Sequence, residues 1–116
     1  MILVLMYHKL RYALRGLGYV VKRELSFRVE LMAMAFVAVA AWYFDFSPLA
    51  WAILVLTSVV ILAAEIFNTV LERLLDLVEP RLSLHIAFLK DLLAAAIFIL
   101  AGGSLAVGAL LLAQAL

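Results

Sequence analysis

Charged and apolar positions segregate along this chain into long blocks. From Phe46 to Ala64 nineteen consecutive residues carry no charge, and from Leu92 to Leu116 twenty-five carry none. A helix crosses the roughly 30 Å hydrocarbon core of a bilayer in about 20 residues. These stretches therefore predict two spanning helices, over about 48–72 and 91–114. A third uncharged stretch, Leu31–Phe44, is only 14 residues long. It spans if Val29 and Glu30 join the helix, which sets a first span at about 29–46. Glu30 then sits near the interface or in a protein-lined site. No strand alternation suited to a barrel is present, so backbone satisfaction in lipid requires helices.

The segment before these spans is patterned differently. At helical periodicity Leu10, Leu14, Leu17 and Val21 share one side, while Lys9, Arg11, Arg15, Lys22 and Arg23 share the other. This predicts a basic amphipathic helix over about 8–24, suited to lying on a membrane surface. Tyr12 and Tyr19 fall on its polar face, either as interfacial aromatics or as rings available to stack on a base.

Composition agrees with the pattern. The 116 residues are 70% hydrophobic, with a mean hydropathy of +1.24, against about 45–50% apolar residues in a soluble domain. The expectation is an all-α integral membrane protein forming a single domain over 1–116. A net charge of +1 gives no reason to expect nucleic acid as a partner, and the absence of cysteine excludes disulfides, thiolate zinc sites and cysteine nucleophiles. The opening MILVLM lacks a preceding basic residue and a small-residue cleavage site, so the N-terminus is expected to be retained.

The basic residues also orient the chain. Lys9, Arg11, Arg15, Lys22, Arg23 and Arg28 precede the first span, and Arg73, Arg81 and Lys90 lie between the second and third. The positive-inside rule places both regions in the cytoplasm. Trp42, Tyr43 and Trp51 form the outer aromatic belt, Asp45 reads as a loop residue, and Pro48 suits a first helical turn. Gly16-Leu17-Gly18 follows no strand, and Gly103 to Gly108 is followed by Ala109 where a phosphate loop needs lysine. Those later glycines read as small residues for close helix packing.

Candidate chemistry lies in AEIFNTVLERLLD. Glu65, Asn68, Glu72 and Asp76 recur at spacings of 3, 4 and 4, an arc of about 80° on a helix. Ionisable groups at membrane depth are costly and mark protein interiors or wet cavities. Glu65 is the deepest and is a candidate acceptor for a hydroxyl proton. Glu72 lies two turns closer to the cytoplasm, and Glu24 reaches a comparable depth. The two could share Mg²⁺, which takes one or two carboxylates together with waters and substrate phosphates. Lys90 can neutralise phosphate charge and Asp91 can hold it in place. Three carboxylates, an amide and a lysine at one boundary fit metal-assisted phosphoryl transfer. Plainer readings stand beside this one. The basic residues serve individually as orientation signals, Asp76, Glu79 and Arg81 suit a solvated loop, Glu30 suits an interface as well as a site, and His85 is a loop or interface residue.

These residues resemble the bacterial diacylglycerol kinase family, which includes the undecaprenol kinases. EIFNTVLERLLD is similar to that family's E-x-x-N-x-x-x-E-x-x-x-D block, Lys90-Asp91 follows at the expected distance, and RGLGYVVKRELSFRVE resembles its upstream segment through Glu24, Phe27 and Arg28. The resemblance implies three membrane helices and a surface helix per chain, assembled as a homotrimer with active sites shared between subunits. It implies Glu65 as base for the lipid hydroxyl, Glu24 and Glu72 as ligands for the Mg²⁺ of ATP, and Asn68, Asp76, Lys90 and Asp91 as nucleotide and phosphate contacts. Tyr12 would lie near the adenine, and Arg28 and Glu30 would support the lipid side. The expected setting is the bacterial inner membrane, with N-terminus and site facing the cytoplasm. Two departures stand out: Ser83 occupies a position where many members carry histidine, and Leu92 and Leu93 replace small residues after Lys90-Asp91.

The function expected is transfer of the ATP γ-phosphate to diacylglycerol, with undecaprenol as the alternative acceptor. A proton-coupled transporter using Glu65 would favour polar groups through the full membrane depth, whereas the outer half of each span is apolar. A non-catalytic assembly subunit would tolerate glutamine at positions 65 and 72.

Overall fold

The computed structural model describes residues 1–78 and 83–116, and every element in them is helical. Helix α1 is Ile2–Arg23, α2 Leu25–Tyr43, α3 Pro48–Val78 and α4 Ser83–Ala115. The last three are long and apolar enough to cross a membrane. Helix α1 starts well before the expected residue 8, because MILVLM continues the helix without a breaker. Val29 and Glu30 do join α2, which begins at Leu25 and ends at Tyr43 rather than covering 29–46. Helices α3 and α4 extend past the apolar ranges 48–72 and 91–114, since polar residues at a boundary do not interrupt a helix. The solvated-loop reading of Glu79 and Arg81 falls outside the described residues.

One residue, Glu24, separates α1 from α2. Its backbone is extended (φ −108°, ψ 110°), and its N–H donates to the Val20 carbonyl. The chain bends there.

The α2–α3 connection is built from local capping. Asp45 adopts a left-handed φ of 52°. The Phe46 N–H donates to the Ala41 carbonyl at 3.0 Å and the Asp45 N–H to the Trp42 carbonyl at 3.3 Å, satisfying the terminal carbonyls of α2 in a Schellman arrangement. Phe46 and Ala41 also pack in one apolar cluster with Ala50 and Leu111, the hydrophobic contact that accompanies this cap. Ser47 then caps α3, its Oγ accepting from the Ala50 N–H at 3.2 Å. Pro48 occupies the first helical position, where its missing N–H is harmless.

This cluster ties the ends of α2, α3 and α4 together on one side of the bundle. Helix α3 packs chiefly on α4, and α2 on α3. The helix axis runs about 26 Å from Pro48 to Glu65 at 1.5 Å per residue, so Glu65 lies close to the opposite boundary of the hydrocarbon. Most span side chains face outward, including Phe36, Phe98 and Leu105. The close-packing reading of the later glycines finds no support within this chain, since a Cβ added at Gly103 or Gly108 would meet nothing within 4 Å.

Candidate functional site

Glu65 is the one charged side chain among the buried residues described, at 8% exposure. Ser26 and Glu30 lie on the first two turns of α2; Ser26 hydrogen-bonds the Glu65 side chain, and the charges of Glu30, Glu72 and Glu24 act on it. The bend at Glu24 creates this arrangement. By starting α2 at Leu25, it brings Ser26 and Glu30 around to the α3 stripe.

Asn68 and Glu72 follow one and two turns along. The Asn68 Nδ2 donates to Glu72 Oε1 at 3.3 Å. The Asn68 Oδ1 is buried and has no hydrogen-bond partner, an arrangement that leaves a lone pair for a ligand's donor or cation. Asp76 continues the stripe and binds Lys90 of α4, with Nζ 2.7 Å from Oδ1. Lys90 is thus held over the polar end of α3, and Asp91 beside it is exposed. Glu24 carries its own ion pair, Arg73 Nη2 lying 2.9 Å from Oε1.

The structure therefore gathers Glu65, Glu30, Asn68, Glu72, Asp76, Lys90 and Glu24 along one end of α3. Tyr12 and Arg28 are exposed. Tyr12 is stacked on His8, with ring centroids 6.5 Å apart, and Arg15 lies 5.9 Å from its ring centre. The ring is thus held on the outer surface of α1. His85 is exposed on the first turn of α4 rather than in a loop.

Two groups escaped the sequence reading. Ser26 has no motif of its own, and only its place two residues after the bend gives it away. Arg73 was read as an orientation signal, yet it lies about 80° around α3 from Glu65 at 100° per residue, adjacent to the acidic stripe.

Among the described residues no three His, Cys, Asp or Glu side chains form a group able to hold a metal by themselves. Mg²⁺ commonly takes one or two carboxylates and completes its shell with phosphates and water. Glu24, Glu72 and the unpartnered Asn68 Oδ1 are oxygen donors of the required kind, so the residues present fit a nucleotide-borne Mg²⁺.

The sequence profile described as prokaryotic diacylglycerol kinase matches residues 11–112. The chain belongs to this family. The matched range covers every site candidate from Tyr12 to Asp91. A diacylglycerol kinase of Synechocystis is 32% identical over 103 residues, covering 88% of this chain and 59% of the relative. The chain thus spans about three fifths of that relative's length. No solved structure matches. Family membership and geometry meet in α3, where the block that resembles the family's motif is the stripe that gathers the buried and paired polar groups.

Proposed function

We propose that this chain is a membrane-embedded lipid kinase transferring the γ-phosphate of ATP to the hydroxyl of diacylglycerol, giving phosphatidic acid. The observation that carries the reading is the gradient along α3. A buried carboxylate lies toward the membrane, and the polar groups become exposed and basic-paired toward the other end. A lipid presents its hydroxyl from the apolar side and a nucleotide approaches from water, so the two substrates need such a gradient to meet.

In this reading Glu65 accepts the proton of the lipid hydroxyl while the hydroxyl oxygen bonds to the γ-phosphorus and the bond to the β-phosphate oxygen breaks, releasing ADP. Ser26 holds the Glu65 side chain through a side-chain hydrogen bond, and Glu30 would support the lipid side. Glu24 and Glu72 would hold the Mg²⁺ of ATP, which supplies neutralisation of phosphate charge. Asn68, Asp76, Lys90 and Asp91 position nucleotide and phosphates, with Lys90 as the countercharge. Tyr12 offers its exposed ring to the adenine, and Arg28 faces the lipid headgroup.

The distribution of Lys and Arg supports a cytoplasmic N-terminus and site in a bacterial inner membrane. Helix α1 supports a surface placement through its basic face and its exposed Leu10, Leu14 and Leu17. A homotrimer with shared sites accounts for span surfaces that a single chain leaves uncovered. An apolar Ala41–Phe46–Ala50–Leu111 cluster at the outer end favours the kinase reading over a through-path.

The reading is tested by supplying purified protein in mixed micelles with MgATP and either diacylglycerol or undecaprenol. Phosphatidic acid as the dominant product is expected. Preferential phosphorylation of undecaprenol would reassign the acceptor within the family, and no product from either lipid would overturn the proposal.

A further inference from the structure

Arg73 has no place in the phosphoryl-transfer scheme, yet its guanidinium makes one of the closest charged contacts in the chain. It reaches from α3 to the α1–α2 bend, where Nη2 lies 2.9 Å from Glu24 Oε1. The Glu24 side chain is 21% exposed and that of Arg73 59%, so the carboxylate is the sheltered member and the guanidinium the exposed one. Beneath the pair, Gly16, Tyr19 and Val20 of α1 face Thr69, Val70 and Arg73 of α3 across an apolar groove. The bend therefore contacts this part of α3 through the ion pair above a largely greasy seam.

The charge environment explains why a cation belongs there. The charges of Glu30, Glu72 and Glu24 all act on Glu65 at this end of the bundle. Like charges repel, and Arg73 supplies a countercharge at Glu24. A divalent cation bound to Glu24 would need the same carboxylate that Arg73 now contacts. Two cations at one carboxylate repel, so the guanidinium must withdraw when metal binds. Its long side chain permits this, and Asp76, one turn along, lies within its electrostatic reach.

We propose that Arg73 is a built-in competitor for the divalent cation at Glu24, occupying that carboxylate until metal arrives with nucleotide. This rests on the metal role given to Glu24 above. It predicts a protein that holds free divalent cation weakly and accepts it together with ATP. An arginine acting only through its field would raise metal affinity on removal whether or not Glu24 is a ligand, whereas a competitor at Glu24 does so only while Glu24 is present.

The test is Mn²⁺ binding to the full chain in micelles without nucleotide, read from the electron paramagnetic resonance signal of the free ion. Mn²⁺ favours the same carboxylate and water ligands as Mg²⁺. Arg73→Gln should bind Mn²⁺ about two- to fivefold more tightly than wild type, the range expected from removing a partly exposed pair. Arg73→Lys should stay near wild type, and Glu24→Gln should abolish the gain when added to Arg73→Gln. Helix content by circular dichroism is compared throughout, and Arg73→Ala carries the same expectation as Arg73→Gln. Equal or weaker binding by both neutral variants would overturn the competitor role. If Glu24→Gln nonetheless weakens binding of MnATP, only the competitor role falls. If the gain survives Glu24→Gln, the metal role of Glu24 falls with it.

Discussion

Glu65 differs from the other carboxylates of its stripe in being withdrawn from solvent, while Glu72 and Asp76 are exposed. That difference separates a group poised for a buried hydroxyl from groups poised for a soluble nucleotide. Glu72→Gln should raise the Mg²⁺ concentration needed for half-maximal transfer by about tenfold or more, as loss of a charge-assisted contact worth about 1.5–3 kcal/mol implies. A Mg²⁺ titration at fixed ATP measures it. Lys90→Ala should raise the KM for ATP by a similar factor. Its ion pair with Asp76 is exposed on both sides, so stability should change by less than about 1 kcal/mol, checked by thermal unfolding in detergent. At this scale the sequence was informative about the groups that recur on one helix. Glu65, Asn68, Glu72 and Asp76 are adjacent by periodicity alone. The Glu24–Arg73 pair was not legible, because it joins residues 49 positions apart through a bend whose extended geometry no local pattern announced.

The elements show the same division. Helices α3 and α4 follow from apolar run length, and α2 from a shorter run that Val29 and Glu30 extend, since lipid requires backbone groups to pair within the segment. Their ends do not, because a helix continues through polar residues until a cap or breaker stops it. Pro48 marks the start of α3, and the structure adds a cap from the Ser47 side chain that the sequence reading did not include. The end of α2 was less visible because an aspartate, rather than glycine, takes the left-handed position. Ser47→Ala should destabilise the protein by about 1 kcal/mol through loss of the cap. Asp45→Gly should stabilise it by up to about 1 kcal/mol by relieving the left-handed strain. Both are measurable as shifts in unfolding midpoint in mixed micelles, and a destabilised Asp45→Gly would mean that the aspartate side chain itself holds the turn.

For the whole molecule, the described chain leaves most of its apolar span surface uncovered, and lipid or further copies must meet it. The proposed homotrimer rests on family resemblance rather than periodicity, since nothing in one chain's pattern counts its neighbours. The site is likewise a property of the whole. Helix α3 supplies the stripe, the bend supplies Glu24, α2 supplies Ser26 and Glu30, and α4 supplies Lys90. Its claim to chemistry converges on one carboxylate. The most direct measurement is transfer of labelled phosphate from MgATP to diacylglycerol by wild type and Glu65→Gln, with helix content matched. The account predicts labelled lipid from wild type and a loss of about 10²- to 10⁴-fold in the variant, the range for removing a general base. Undiminished transfer by Glu65→Gln would contradict it.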